Sequence, residues 1–261
     1  MPSTFARAAL GLLLALPAQR LAAQVDSERG LPFGVGERLT YRARVAKAGN
    51  IGRGAMWIEG PVDVRGTSTY LLRFDFKAGV GPVRAEDRTS SWLDARRMAS
   101  LRFAKHERHP LSNSDQKVEI LPDERRWHAE GGEAGSSLSD MPLDELSFMY
   151  FLRTLPLDAD TVLSFDRHFE AARNPTTVRV VRRDTVVTGA GTFRTVLLEM
   201  RVRDARHYRG EGVIRIHLSD DACRLPVRIE SGMPVIGTAV LTLESDSGVA
   251  GECAARMKGR E

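Results

Sequence analysis

Apolar and polar residues alternate along much of this chain, and that pattern limits what it can fold into more than any other feature. In Tyr70-Leu-Leu-Arg-Phe-Asp-Phe-Lys77, the positions Tyr70, Leu72, Phe74 and Phe76 fall on one side, and Arg73, Asp75 and Lys77 on the other. Successive side chains of a strand point to opposite faces, so such a segment is a ribbon with one buried and one solvated face. Leu39, Tyr41, Ala43 and Val45 oppose Thr40, Arg42 and Arg44 in the same way, and Val196, Leu198, Met200 and Val202 oppose Glu199, Arg201 and Arg203. Ile214, Ile216 and Leu218 oppose Arg215 and His217, and Val227 and Ile229 oppose Arg228 and Glu230. Turn residues punctuate these runs at Ala48-Gly-Asn50, Gly60-Pro61, Gly79-Val-Gly-Pro82, Gly189-Ala-Gly191, Asp220-Asp221 and Met233-Pro234. The spacing predicts roughly ten to twelve strands joined by turns. With few helices there are no crossovers to make a parallel sheet, so pairing must be mainly antiparallel. A sheet this wide must curl or split, because a flat one leaves long exposed edges. The expected fold is therefore all-β and mainly antiparallel, a curved sheet or β-barrel with one short buried helix.

That helix is expected in Asp140-Met-Pro-Leu-Asp-Glu-Leu-Ser-Phe-Met-Tyr-Phe-Leu-Arg153, where Asp140 can cap, Pro142 falls in the first turn and acidic residues lie near the start. Leu143, Leu146, Met149, Tyr150 and Arg153 follow helical spacing, and Phe148, Phe151 and Leu152 widen the apolar surface beyond one stripe. Such a helix is mostly buried. Residues 112–116 and 131–139 read as polar loops, and the chain from Ser245 onward carries little packing signal.

The N-terminus sets the compartment. Arg7 precedes the apolar run Ala8-Ala-Leu-Gly-Leu-Leu-Leu-Ala-Leu-Pro-Ala18, and small residues follow at Leu21-Ala-Ala-Gln24. This is the pattern of a secretory signal peptide, residues 1–23, and it is too short to span a membrane. The expected mature chain is one β-rich domain over 24–245 with a C-terminal tail over 246–261, soluble and periplasmic. The formal charge of the 261 residues is +4, and acidic and basic residues are interspersed, as in Arg201-Val-Arg-Asp204. No basic stripe of the kind nucleic acid needs is present. The two cysteines of this exported chain, Cys223 and Cys253, are expected to form a disulfide.

Reaction chemistry is sparse. His106-Glu-Arg-His109 comes nearest to a metal motif, but a zinc-protease helix needs histidines four apart, and positions three apart in a strand face opposite sides. Asp220-Asp221 after His217 reads as a turn. No Gly-x-Ser-x-Gly elbow occurs, the cysteines lack Cys-x-x-Cys spacing, and Gly79-Val-Gly-Pro82 reads as a hairpin, not a phosphate cradle. No catalytic residue, metal or cofactor is expected. The remaining candidate site is apolar: Trp57, Tyr70, Leu72, Phe74, Phe76, Trp92, Phe148 and Phe151, with Tyr150, would line a cavity inside the curved sheet with the helix at its mouth. The alternative is that these residues fill the core, which gives nearly the same pattern.

Several stretches resemble the exported family known as domain of unknown function 3108. They are Pro32-Phe-Gly-Val-Gly-Glu-Arg-Leu-Thr-Tyr41 with Lys47-Ala-Gly49, Asp144-Glu-Leu-Ser-Phe-Met-Tyr-Phe-Leu-Arg153, Ala190-Gly-Thr-Phe-Arg-Thr195, and Leu218-Ser-Asp-Asp-Ala-Cys-Arg-Leu-Pro-Val-Arg-Ile-Glu-Ser231. The resemblance implies a one-domain antiparallel β-fold in the cell envelope, similar to the lipocalins or the envelope lipoprotein carriers, and supplies no catalytic residues. The expected function is binding of a lipid or other apolar envelope molecule. The alternative is a structural or interaction module that meets an envelope protein, and an envelope hydrolase is a third reading.

Overall fold

The computed structural model describes residues 30–46, 48–109, 112–204, 208, 210–233 and 237–248. The signal-peptide segment and Cys253 lie outside the described residues. The strands are β1 (Arg38–Val45), β2 (Gly49–Val64), β3 (Thr67–Val80), β4 (Val83–Asp94), β5 (Ala99–His109), β6 (Ser112–Leu121), β7 (Arg126–Ala129) and β8 (Ala134–Ser136). Helix α1 (Glu145–Leu152) follows, then β9 (Val162–Phe165), β10 (Thr176–Thr188), β11 (Gly191–Arg203), β12 (Glu211–Ser219), β13 (Pro226–Met233) and β14 (Gly237–Ser247). They form one sheet in the order β8-β7-β6-β5-β4-β3-β2-β1-β14-β13-β12-β11-β10-β9. Every neighbouring pair is antiparallel, and β1 joins the two halves by pairing with both β2 and β14.

The fold class is the expected one, with more strands. Residues 112–116, expected as a loop, continue β6, where Ser112 to Gln116 pair with His109 back to Lys105. This hairpin extends past the core, so both of its faces are polar and alternation gives no signal. Within 131–139, β8 pairs with β7. Strand β14 runs on to Ser247, opposite Arg38, two residues beyond the expected domain end.

Bulges curl the sheet. The register shifts between Thr40 and Tyr41, Ala43 and Arg44, Glu59 and Val62, Trp92 and Leu93, Val180 and Arg182, and His217 and Leu218. Each extra residue bends its strand and increases local twist. The short terminal strands are bridged by irregular chain. Leu143 and His168 form a parallel bridge, and Ser137 Oγ donates to Phe169 O at 2.8 Å.

The concave face gathers Leu39 and Tyr41 of β1, Leu72 of β3, Val196 and Leu198 of β11 and Ile216 of β12 around α1 in one apolar cluster. Two smaller clusters sit apart from it. Ala43, Val45, Ile51 and Phe76 form one, and Phe103, Val118, Ile120 and Phe169 the other. Gly52 lies beside the β1–β2 bulge, where a Cβ would sit 2.0 Å from the Lys77 carbonyl oxygen. That contact is with backbone, so the strands would have to separate. Gly52→Ala is expected to destabilise the protein by about 1–3 kcal/mol, read as a lower urea midpoint.

Candidate functional site

Helix α1 is held at both ends by buried polar groups. At its start Asp144 is the N-cap, accepting from Leu146 N and Ser147 N at 2.9 Å each, while Ser147 Oγ accepts from Asp144 N at 2.9 Å. This is a capping box. Asp140, the expected cap, lies four residues earlier. The chain between them is extended, because Leu143 pairs its backbone with Arg167 and Phe169. The cap is tied to the sheet as well. Ser91 Oγ of β4 donates to Asp144 Oδ2 at 2.5 Å, and Ser100 Oγ of β5 lies 2.8 Å from Ser147 Oγ. Burial pushes the Asp144 carboxyl up, against the lowering effect of its hydrogen bonds with Ser147, Ser91 and Ser100.

At the other end Arg153 forms a two-pronged pair with Glu37, Nη1 to Oε1 at 2.6 Å and Nη2 to Oε2 at 2.8 Å. Both side chains are essentially inaccessible, at 1 % and 0 %. Arg153 Nη2 also donates to Pro32 O at 2.7 Å and Cys223 O at 3.0 Å. Burial alone would lower its pKa, but the Glu37 carboxylate outweighs that and holds it above the usual arginine value. Phe33 and Tyr150 enclose the guanidinium, and Tyr41 Oη donates to Pro226 O at 3.0 Å.

The structure separates the eight residues expected to line a cavity. Tyr70, Leu72, Phe148 and Phe151 lie buried in the main cluster. There Phe148, Phe151 and Phe165 pack edge to face, with centroids 5.1–5.9 Å apart. Phe76 sits in the small cluster at the end of β1–β3, and half-buried Phe74 stacks beside it at 6.5 Å. Trp57 and Trp92 lie on the outer face, which corrects their assignment to the wall. Trp57 alternates with buried Met56 and Ile58, lies under Arg38 and donates to Glu59 at 2.7 Å. Trp92 alternates with buried Ser91 and Leu93 and lies under Arg102. Two surface hollows of about 370 Å³ adjoin the β3–β4 hairpin, and none of the eight residues lines either of them. Tyr150, also considered for the cavity, is fully buried against Phe33.

Near the N-terminus of α1 a charged network emerges that alternation could not reveal. Lys105 Nζ is shared by Glu107 at 2.9 Å and Glu145 at 3.2 Å, and Arg173 bridges Glu145, Glu170 and Asp204 at 2.9–3.6 Å. Burial opposes the charge of Glu145, but Lys105 and Arg173 prevail and hold its carboxyl at about 2. Burial, with Arg173 beside it, lowers His168 to about 3. Asp220 and Asp221 form the expected turn, with Asp221 Oδ1 accepting from Ser219 Oγ at 2.7 Å and Cys223 N at 3.0 Å. Cys223 is buried and is not a free thiol.

The family profile for proteins of unknown function DUF3108 matches residues 39–244. The chain belongs to the DUF3108 family. No curated protein matches it significantly. Among solved structures it is similar to a beta-barrel-like protein of domain of unknown function DUF1849 from Brucella abortus, with a TM-score of 0.59 and 12 % identity over 83 % of this chain and 98 % of that one. A suspected lipoprotein from Parabacteroides distasonis aligns with a TM-score of 0.31 and 9 % identity, over 83 % of this chain and 97 % of that one. A suspected exported protein with a YmcC-like fold from Bacteroides fragilis gives 0.31 and 12 %, over 83 % and 98 %. The Brucella likeness supports the barrel-like fold and nothing more specific.

In this DUF3108 member, three stretches that carry the resemblance meet at one buried point. Pro32 to Tyr41 supplies a carbonyl, Glu37 and Tyr41; Asp144 to Arg153 supplies the guanidinium; Leu218 to Ser231 supplies the carbonyls of Cys223 and Pro226. These motifs hold the fold together. Breaking a buried pair by removing one partner costs about 3–5 kcal/mol, whereas replacing both with apolar groups can be close to neutral. Glu37→Met and Arg153→Met are each expected to lose about that much in urea unfolding, with the double variant more stable than either single one.

Buried titratable groups shape the acid response. His168 takes up a proton at 6.5 when unfolded but only near 3 when folded, so it lowers stability progressively as pH falls below 6.5. Glu145 adds stability above its ordinary 4.5 and loses it as pH falls towards 2. His217, also lowered by burial, acts in the same sense as His168. Unfolding free energy measured from about pH 7 to 5 is expected to fall, and His168→Gln to show a smaller slope.

Proposed function

We propose that the protein is an exported, non-enzymatic module of the cell envelope that works through its outer surface and carries no ligand inside its sheet. One observation carries this reading: the concave face that would hold an acyl chain is occupied by α1, which is fixed at both ends. In a carrier the helix would have to leave. That movement strips Arg153 from Glu37, at about 3–5 kcal/mol, and exposes Phe148, Phe151 and Leu152 to water as well. A ligand would have to offset all of this before contributing any net affinity. The charged groups beside α1 neutralise one another in pairs, which suits a structural role better than acid–base chemistry. The export assignment and a periplasmic location rest on the signal-peptide pattern of residues 1–23. No described helix is long and apolar enough to cross a membrane.

The outer face offers surface for an envelope protein. Trp57 and Trp92 lie flat under Arg38 and Arg102, and Val162 and Val187 are exposed on β9 and β10. Amphipathic aromatic and Arg surface of this kind is enriched where proteins meet. Native mass spectrometry of the mature chain, purified from its own periplasm without detergent, tests the reading. The expected spectrum is the bare polypeptide beginning at Gln24. A stoichiometric acyl-bearing mass, released on denaturation and missing from a folded Phe74→Asp variant, would overturn it in favour of a carrier.

A further inference from the structure

The His106-Glu-Arg-His109 segment does not act as a pair of histidines. His106 and His109 point to opposite faces of β5, and His106 Nδ1 pairs with Asp115 of β6 on the outside. Residues two apart share a face, however, so His109 stands beside Glu107. In register, Glu107 lies opposite Asp87 of β4, which brings a second carboxylate to the same place. One oxygen of Asp87, one of Glu107 and a ring nitrogen of His109 all lie within 4.8 Å of one another, and each residue is half-buried. His109 Nε2 is 2.6 Å from Asp87 Oδ1.

We propose that Asp87, Glu107 and His109 form a binding site for a divalent transition-metal ion of the zinc class, with solvent completing the coordination. Imidazole nitrogen with carboxylate oxygen is the donor set such ions accept, and bond lengths of about 2.0–2.2 Å place tetrahedral donors roughly 3.3 Å apart. The His109–Asp87 spacing of 2.6 Å is shorter than that value and the other two do not exceed 4.8 Å, so side-chain rotations can bring the three donors to it. The ion takes the position of the proton now held between His109 and Asp87, since metal ligands bind deprotonated.

Two features of the surroundings favour the ion. Lys105, which neutralises Glu107, is also held by Glu145, so Glu107 can turn to a metal while Lys105 stays paired. An entry path exists, because His109 lines a solvent-open hollow of about 370 Å³ with Pro82, Val83, Glu86 and Arg108. Arg84 and Arg108, the cations lining that hollow, are engaged by the Gly81 and Val83 carbonyls and by Asp115 respectively. The ion would join β4 to β5 where both extend beyond the main core.

The test titrates chelator-treated mature protein with zinc chloride alone, by calorimetry and by thermal melting. Expected are one site per chain and a Tm that rises with zinc, because an ion that binds the folded state stabilises it. His109→Ala and Asp87→Asn should each weaken binding at least ~10-fold, the scale on which loss of even a supporting partner acts. His106→Ala should bind like the parent. The site is refuted by an absence of binding, by full binding in His109→Ala and Asp87→Asn, or by an equal loss in His106→Ala. Cobalt absorption of the unaltered chain needs no variant. A tetrahedral spectrum supports the site, and the spectrum of the hexa-aquo ion overturns it.

Discussion

A guanidinium removed from water must have its charge and its donors met by protein, and in this chain that requirement falls on Arg153. Its partners are Glu37, just ahead of the central strand β1, the Pro32 carbonyl, and the Cys223 carbonyl in the turn between β12 and β13. Apolar packing alone would let α1 slide or rotate within the curved sheet, because apolar contact is not directional. The two-pronged pair is directional, and a misplaced helix would leave a buried charge unmet. The pair therefore fixes where the helix ends relative to the middle of the sheet, and through Cys223 relative to the C-terminal half.

With that point set, the rest of the interior follows. The fourteen described strands, bent by bulges, form a sheet with a concave face against which α1 packs. The helix is apolar nearly all round, as a helix buried against the sheet must be. Its first turn is the problem, since free amide groups there would be buried without partners. Asp144 and Ser147 satisfy them, and Ser91 and Ser100 extend the network to β4 and β5. Serines among the inward-facing residues of two strands thus have a specific partner, the helix N-terminus.

Much of this was legible in the alternation. It predicts the buried faces of β1, β3 and β11, and the apolar richness of 146–152 predicts a buried helix. The outward position of Trp57 was legible too, since Met56 and Ile58 on either side of it take the inner face. Aromatic character alone does not carry that parity. Other features depend on the fold itself. Glu37 and Arg153 are 116 residues apart, and nothing local marks either as buried. Asp140 and Pro142 imitate a helix opening, but the tertiary pairing of Leu143 with the chain near His168 keeps that stretch extended. The Asp87, Glu107 and His109 set needs the β4–β5 register, which is displaced by a bulge between Trp92 and Leu93.

A hollow barrel and a filled one share the same strand pattern, so the difference must come from whatever occupies the middle. Where a helix only covers an opening, its contacts should be apolar and separable, and its polar groups should face water. Here the helix termini carry deeply buried polar groups, committed to named partners on or beside the sheet. Moving them means desolvated charge and unmet amides, which is costlier than parting apolar surfaces. The same logic points outward at the far ends of β4 and β5. Beyond the reach of α1, carboxylates and imidazole replace apolar side chains on the inner face, and charge pairing takes over from packing. Around α1 the curved sheet is held by apolar contact, and on the inner face of β4 and β5 beyond it by polar contact.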